Sequence, residues 1–284
     1  MIVCADDYGW SKDINAAIVD LASRGQISAV SVMAALPECT REAVAPLRTL
    51  ANLVDVGLHL VFTDAAPLAA AGEVPALLGA GGSLPSFAHL LRRALRRGIP
   101  APQAERETAL QHARFVELFG AEPRFVDSHL HTHQFPGIAE GIIAWVMRLP
   151  DGQRPFVRNA HVPWNKAWRQ RVAPFKNMGI GFYGRRIKGL LDRNGIPTNR
   201  GFAGIYDYRR YQRYAEYLRR FAGHMEDESG ILMTHPGMTD DWRRAEYEAL
   251  RAISAPGIPI TRFPARAKVV SAATAFAQPA KENP

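Results

Sequence analysis

The stretch that decides the fold is Ile2-Val3-Cys4-Ala5-Asp6-Asp7. Its first four residues form a short apolar run, which predicts a strand buried on both faces, as the strands of a parallel sheet are. Two carboxylates follow at once, where such a strand would end. Ser11 can cap a helix directly after it, and Gly25 can end that helix. The opening stretch therefore predicts a β/α unit with acidic groups at the carboxyl end of its strand.

Strand-like and helix-like stretches continue to alternate along the chain. Strands are predicted over residues 29–33, 54–60, 125–128, 156–159, 231–234 and 260–263, and helices over 41–50, 86–97, 103–119, 208–221 and 242–253, with one more after Pro136. This alternation is typical of an α/β fold with mainly parallel strands. Roughly seven β/α units favour a barrel over a doubly wound sheet. We expect a single barrel domain over residues 1–270 and a frayed tail over 271–284.

Two stretches depart from the alternation. Residues 61–85 are rich in Ala, Gly and Pro and too long for an ordinary connection, which indicates a loop or a lid. Residues 164–206 are basic and contain glycine, and the sequence predicts irregular structure there. Tyr208, Tyr211 and Tyr214 are interpreted as exposed aromatic residues on a helix. They could form the contact of a homodimer or part of a lid, and the sequence leaves both open.

Composition and charge limit the classes of partner. The 284 residues are 47% hydrophobic and 22% charged, which is ordinary for a globular protein. No apolar run reaches the ~18 residues of a membrane-spanning helix, and no signal peptide is recognisable, so we expect a cytoplasmic protein without an integral membrane segment. The net charge of +8 comes from short arginine pairs such as Arg243-Arg244, interpreted as solvated helix faces. We expect no nucleic-acid partner, because no binding module for nucleic acid is present. Peripheral contact with anionic lipid stays open.

Polar groups lie at the carboxyl ends of four predicted strands, where β/α folds place their active sites. They are Asp6-Asp7, His59, Asp127-Ser128-His129-Leu130-His131-Thr132-His133 and Thr234-His235-Pro236-Gly237. Each alone has a structural explanation, since paired aspartates can cap a helix and a lone strand histidine is usually a core residue. Together they are hard to explain by packing, because buried polar groups destabilise unless they pair or bind a ligand. The pattern indicates a metal site.

The ligand types limit the chemistry of such a site. Two imidazoles and one carboxylate bind a borderline divalent ion and leave positions open for water and substrate. The ion would polarise a carbonyl oxygen and make its bound water more acidic. Hydrolysis of an amide also needs a base for the water and an acid for the leaving amine. Adjacent aspartates in an extended strand point opposite ways, so one could bind the ion while the other acts as the base.

Four sequence blocks resemble the signatures of the YdjC/ChbG family of carbohydrate deacetylases, in the family's order and at similar spacing. They are Ala5-Asp6-Asp7-Tyr8-Gly9, Gly57-Leu58-His59-Leu60, Asp127-Ser128-His129-Leu130-His131-Thr132-His133 and Thr234-His235-Pro236. Phe115-Val116-Glu117-Leu118-Phe119-Gly120 is similar to the family as well. The resemblance runs from residue 1 to residue 236. It implies a distorted (β/α) barrel related to polysaccharide deacetylases, with mainly parallel strands.

The resemblance also implies roles for individual residues. One divalent ion, Mg²⁺ or Zn²⁺, would be bound by Asp7, His59 and His129. Asp6 would be the base and His235 the acid in the removal of an N-acetyl group from an amino sugar.

Arg158 and His131 are candidates for contacts with the substrate. Arg158 could instead orient Asp6, or be an ordinary surface arginine, and these interpretations stay open. The basic stretch over residues 164–211 does not match the chito-oligosaccharide enzymes of the family. The substrate is therefore a chito-oligosaccharide or a lipid-linked or nucleotide-linked glycan, and the net charge of +8 would suit an anionic one.

Two other functions remain open. A metal-dependent esterase or phosphoesterase would use the same site on a different bond, although phosphoryl transfer often needs two metals and more carboxylates than the motifs contain. A non-catalytic basic binding module would depend on the arginine pairs and tolerate loss of Asp7. The presence of both a candidate base and a candidate acid argues against a non-catalytic module.

Overall fold

The computed structural model describes residues 1–163, 172–223, 225, 230–252 and 260–264. Within them, one seven-stranded sheet has the order β5-β4-β3-β2-β1-β7-β6, and every pairing in it is parallel. Its strands are β1 (Ile2–Tyr8), β2 (Ala29–Val32), β3 (Asp55–Leu60), β4 (Phe125–Ser128), β5 (Phe156–Val157), β6 (Phe202–Ala203) and β7 (Ile231–Thr234). The α/β fold with parallel strands in an open, barrel-like sheet confirms the expected fold class.

Helices follow most of the strands. They are α1 (Lys12–Ser23), α2 (Arg41–Thr49), α3 (Phe87–Leu95), α4 (Ala101–Phe119), α5 (Ile138–Arg148), α6 (Pro174–Arg193), α7 (Tyr214–Gly223) and α8 (Asp241–Arg251). Short 3₁₀ turns lie at Pro75–Leu77, Ala80–Gly82, His129–Gln134, Asp151–Gln153 and Tyr208–Arg213. Gly120 ends α4 with a φ of 68°, a left-handed conformation that glycine adopts without steric cost. None of the helices described combines the length and the apolar character that crossing a membrane requires.

The two faces of the sheet are buried in separate apolar clusters. Val3 and Ala5 of β1 pack in a large cluster together with helix residues such as Ile18 of α1. Ile2 and Cys4 point the other way, into a smaller cluster formed mostly by side chains from other strands. Because the side chains of a strand alternate between its faces, the smaller cluster marks the inside of the curled sheet. Both faces of β1 are therefore buried, as its apolar run predicts.

The open side of the barrel is closed by an asparagine pair, which we call the asparagine clasp (Asn159 and Asn199). The edge strands β5 and β6 do not pair with each other. Asn159 donates from its backbone N–H to Asn199 Oδ1 and from its side chain to the Asn199 carbonyl, both at 2.8 Å. Asn199 Nδ2 donates back to the Asn159 carbonyl at 2.9 Å, and both residues are buried. The clasp joins the chain after β5 to the chain before β6.

The stretch over residues 164–206 contains α6, a 20-residue helix, so the expectation of irregular structure there was wrong for residues 174–193. The glycines in this stretch weaken the helical signal of the sequence, because glycine is a poor helix former. Gly184 is required by packing, since a Cβ at this position would lie 2.6 Å from the backbone nitrogen of His161. Residues 164–171 lie outside the described residues.

Two other expectations differ from the structure. The strand expected over 260–263 does not form, although the Thr261 N–H donates to the Met1 carbonyl at 2.8 Å. Tyr214 is buried, and its hydroxyl lies 3.2 Å from Thr234 Oγ1, so it cannot form an exposed contact. The homodimer and the single domain over 1–270 stay predictions, and the tail over 271–284 lies outside the described residues.

We expect Asn199→Ala to lower the free energy of unfolding by about 2 kcal/mol, because it leaves buried polar groups of Asn159 without partners. Urea denaturation measures the change. Asn194→Ala is the control, since Asn194 is exposed and its side chain donates to the Leu190 carbonyl. It should change stability by about 0.5 kcal/mol or less. Equal losses in the two variants would show that the asparagine clasp adds no stability of its own.

Candidate metal centre

The end of β1 brings both aspartates to one cavity. Asp6 continues the inward-facing alternation of Ile2 and Cys4. The register against β2 then shifts after Ala5, and Asp7 adopts a φ of 71°. This left-handed conformation is uncommon outside glycine, and it turns the chain so that Asp7 lines the same cavity as Asp6. The two aspartates therefore do not point opposite ways, as they would in an extended strand.

Asp7, His59 and His129 converge from the ends of β1, β3 and β4. Asp7 Oδ1 lies 3.4 Å from His59 Nε2 and 3.2 Å from His129 Nδ1. One ligand atom from each residue lies within 4.8 Å of the other two. One carboxylate and two imidazoles at this separation are compatible with a single divalent ion. The structure thus brings together the three residues that the sequence selected.

A buried carboxylate fixes the orientation of His59. Its Nδ1 lies 2.6 Å from Asp127 Oδ1, which also accepts a hydrogen bond from the Ser31 hydroxyl. The Nε2 atom is thereby turned toward Asp7, an arrangement that often orients metal-binding histidines. Burial alone would lower the pKa of His59, but Asp127 and Asp7 outweigh burial and raise it to about 10.

The Asp7 carboxylate favours a positive charge in the same place. Burial would raise its pKa, but hydrogen bonds from His129 and His59 outweigh burial and hold the pKa well below its usual range. Both the carboxylate and the imidazoles therefore stabilise a cation between them.

Arg158 is fully buried and is not a surface arginine. Its Nη1 and Nη2 atoms donate to the two carboxylate oxygens of Asp6 at 2.8 and 2.7 Å. Nη1 also forms an ion pair with Asp127 Oδ2 at 3.0 Å. His133 Nε2 lies 2.9 Å from the Arg158 carbonyl and holds the backbone of the arginine. Of the sequence-based interpretations, this geometry fits the one in which Arg158 orients Asp6.

His235 lines the same cavity as the candidate metal ligands. Its backbone N–H donates to Glu246 Oε2 at 2.6 Å, and its ring stands edge-on to Trp242 and Tyr208. Nδ1 is buried without a hydrogen-bond partner among the described residues. Burial lowers the pKa of His235, although Asp7 and Glu246 act in the opposite direction. Its Nδ1 lies 3.9 Å from Glu246 Oε1, and the residue lines the cavity.

His131 occupies a strained turn. It and Leu130 adopt φ values of 56° and 54°, two consecutive left-handed residues that are not glycine. The His131 ring packs edge-on to Phe202 at 5.5 Å and lines the cavity, and its Nδ1 finds no hydrogen-bond partner in the described part of the chain. Burial holds its pKa well below the usual range. His131 is thus a neutral imidazole placed beside the ligand space.

These side chains surround a cavity of about 340 Å³ at the carboxyl ends of the strands. Its polar floor and mostly apolar walls are formed by Asp6, Asp7, His59, Phe87, Ser128, His129, Leu130, His131, Ile180, Ile205, Tyr208, Met233, His235, Trp242 and Arg243. A second cavity of about 520 Å³ lies elsewhere, around Arg124 and Lys188, and contains none of the sequence-predicted site residues. The smaller cavity is therefore the candidate functional site.

Two residues of the site were missed in the sequence. Arg243 was assigned to a solvated helix face, but it is 6% exposed and its Nη2 donates to Asp7 Oδ2 at 2.7 Å. Glu246 is fully buried and accepts the backbone N–H of His235. Both lie on the face of α8 that also buries Leu250. The i, i+3, i+7 spacing of these residues is the signal that could have found them.

Comparisons with known proteins identify similar sequences and a similar fold. A family model described as YdjC-like protein matches residues 1–256. A carbohydrate deacetylase of Geobacillus stearothermophilus is 36% identical over 137 residues, 48% of this chain and 51% of the relative. A chitooligosaccharide deacetylase of Serratia marcescens is 36% identical over 138 residues, 49% of this chain and 52% of the relative. These matches span about half the length of the curated relatives.

A solved structure shares the fold. It is an Enterococcus faecalis V583 protein with the provisional description of a cellobiose-phosphate cleavage protein. The two superpose with a TM-score of 0.66 over 92% of this chain and 96% of the other, at 18% sequence identity.

We expect Zn²⁺ binding to release about one proton at pH 8, because His59 has a pKa of about 10 without metal and must lose its Nε2 proton to become a ligand. Affinity should therefore rise with pH up to about 10. Calorimetric titration in buffers of different ionisation enthalpy measures the proton count. A binding enthalpy that is the same in every buffer would contradict the protonated state of His59.

Proposed function

The chain belongs to the YdjC-like protein family, and on this basis we propose that it is a metal-dependent hydrolase that removes the N-acetyl group of an amino sugar. One observation carries the proposal. The ligand set of Asp7, His59 and His129 lies in the same cavity as Asp6 and His235. The names of the deacetylase relatives support the same reaction.

The divalent ion, Mg²⁺ or Zn²⁺, would polarise the acetyl carbonyl and make water a stronger nucleophile. The side chains of the protein supply the proton transfers. Asp6 accepts a proton from the attacking water through lone pairs that its two bonds to Arg158 leave free. Arg158 fixes the direction of that carboxylate. Because the Asp6 oxygens are held at both ends, little reorganisation is needed when the proton arrives.

His235 delivers a proton to the leaving amine. It lines the same cavity as Asp6, and its backbone is held by Glu246, so its ring position is set before a substrate binds. Burial lowers its pKa, so the ring has to be protonated in the substrate complex before it can act as the acid. His131, a neutral imidazole in the same cavity, contacts the sugar or its acetyl group.

A phosphoesterase with two metals is less compatible with this site. Cys4, Asp6 and Asp127 form a second group that could hold an ion. However, Arg158 Nη1 lies 2.8 Å from Asp6 Oδ1 and 3.0 Å from Asp127 Oδ2. A guanidinium already provides the positive charge there, so the site favours chemistry with one ion. A non-catalytic surface module would not need these groups buried in a cavity.

The cavity walls favour a substrate with an apolar group. Leu130, Ile180, Ile205 and Met233 are among the apolar residues that line it. Arg158 and Arg243 are both paired with aspartates, so neither offers an unpaired charge to a phosphate. We therefore favour an amino sugar linked to a lipid over a nucleotide-linked one or a free chito-oligosaccharide. A cytoplasmic location and contact with anionic lipid stay predictions.

We expect the purified protein to release acetate from an N-acetylated amino sugar, to lose this activity on chelation, and to regain it with Mg²⁺ or Zn²⁺. Asp6→Asn and His235→Ala should each lower kcat by about 10² to 10⁴, the usual contribution of a positioned base or acid. Asp20→Asn and His89→Ala, at residues outside the cavity, are the matched controls. A protein that binds one metal but releases acetate from no sugar would move the assignment to another amide or ester. A protein that binds no metal would contradict the ligand set.

We expect an octyl glycoside of N-acetylglucosamine to have a kcat/KM about tenfold higher than the methyl glycoside, because part of the octyl chain is buried against the apolar walls. Ile180→Gln should reduce this advantage, since Ile180 lines the cavity. Initial rates of acetate release at several substrate concentrations measure both values. A preference for a nucleotide-linked sugar over the octyl glycoside would contradict the apolar assignment.

A further inference from the structure

Arg243 is a buried cation beside Asp7, a residue of the candidate metal centre. The proposed reaction gives Arg243 no role. It lies in the first turn of α8 and points into the barrel. Its Nη2 donates to Asp7 Oδ2 at 2.7 Å, while Asp7 Oδ1 faces His59 and His129. The two oxygens of one carboxylate thus have different partners.

The guanidinium of Arg243 is held in a prepared position. It lies over the Trp242 ring, with 4.4 Å between its carbon and the ring centroid, and Nη1 donates to the His235 carbonyl at 3.4 Å. Gly237 leaves room for the side chain, since a Cβ there would lie 3.0 Å from Arg243 Cδ. These contacts fix the position of the positive charge beside Asp7. Through Arg243 they also link Asp7 to the segment that contains His235.

We propose that Arg243 is a positioning residue that restricts Asp7 to a one-oxygen ligand and lowers the negative charge available to the ion. The proposal rests on the proposed metal-dependent function. With Oδ2 committed to Arg243, Oδ1 alone faces the ligand space, and coordination positions stay open for water and substrate. A cation beside the carboxylate also weakens the attraction between Asp7 and a divalent ion. Arg243 thereby lowers the affinity for the metal and raises catalytic turnover.

A purely structural role and the proposed role of Arg243 predict opposite changes in metal affinity when the cation is removed. If Arg243 only held Asp7 in place, its loss would weaken metal binding, as the loss of outer-shell partners usually does by tenfold or more. If Arg243 restricts Asp7 and withdraws charge from it, its loss frees Oδ2 and strengthens metal binding, while turnover falls. The sign of the change in affinity therefore separates the two roles.

The test compares Arg243→Met with Arg243→Lys and with Arg244→Met. Met removes the charge and the donors, whereas Lys keeps a charge but loses the planar fork. Arg244 is the matched control, because it is half-exposed on the same turn and bonds to the Met238 carbonyl. Zn²⁺ affinity is measured by competition with a chromogenic chelator, and kcat and KM by acetate release. Thermal melting with and without Zn²⁺ shows whether each variant is folded.

For Arg243→Met we expect about tenfold tighter Zn²⁺ binding, because Asp7 Oδ2 is freed and a neighbouring cation is lost, and a kcat about tenfold lower with a smaller change in KM. Zn²⁺ should raise its melting temperature more than that of the unaltered protein. The Zn²⁺ affinity and kcat of Arg243→Lys should lie between those of Arg243→Met and those of the unaltered protein. Both values for Arg244→Met should stay within about twofold of the unaltered protein.

Weaker or unchanged Zn²⁺ binding in Arg243→Met would overturn the proposal, and so would tighter binding with unchanged kcat. If Arg243→Met does not fold without metal, the sign of the affinity change in Arg243→Lys decides. If the unaltered protein binds Zn²⁺ but releases no acetate, the proposed function fails, and the affinity comparison alone decides the role of Arg243. If the unaltered protein binds no divalent ion, both proposals fail.

Discussion

The buried guanidinium of Arg158 is the interaction on which the rest of the site depends. It lies between Asp6 and Asp127 and compensates two carboxylates that burial would otherwise make very unfavourable. Asp127 in turn orients His59, and His59 faces Asp7. One cation inside the barrel thus allows a chain of charged groups to exist where water is largely excluded. Without it, neither the position of the candidate base nor the carboxylate that orients His59 would be stabilised.

The parallel sheet brings the site residues together, and local irregularities of the backbone orient their side chains. Parallel strands bring their carboxyl ends to one edge, so residues far apart in the chain meet there without special contacts. Regular strands alone would not aim them correctly. Asp7 needs its left-handed backbone to face the cavity, and Leu130 and His131 need theirs to complete the turn after β4. Such conformations are unfavourable in isolation and persist because the surrounding packing determines them.

The sequence predicted most of the strands, and the polar residues that meet at their carboxyl ends, because both leave local signals. An apolar run followed by Asp6-Asp7 identifies a strand end without any knowledge of its neighbours. Arg243 was assigned to a solvated face because an arginine on a helix is ordinarily exposed, and its spacing to other buried helix residues does not reveal that it reaches Asp7. Helix α6 was missed for a similar reason, since Gly184 serves a close contact with another segment and lowers the local helix propensity.

The asparagine clasp has a consequence for the behaviour of the protein among other copies of itself. A sheet that ends in exposed strands offers unpaired backbone groups to which a strand of another chain can add, which leads to aggregation. Here β5 and β6 are each two residues long, and the Val157 N–H on the free side of β5 donates to the Pro197 carbonyl at 2.9 Å. The segment before β6, together with the asparagine clasp, therefore covers the edge of β5 that an incoming strand would need, and we expect this edge to resist intermolecular strand addition.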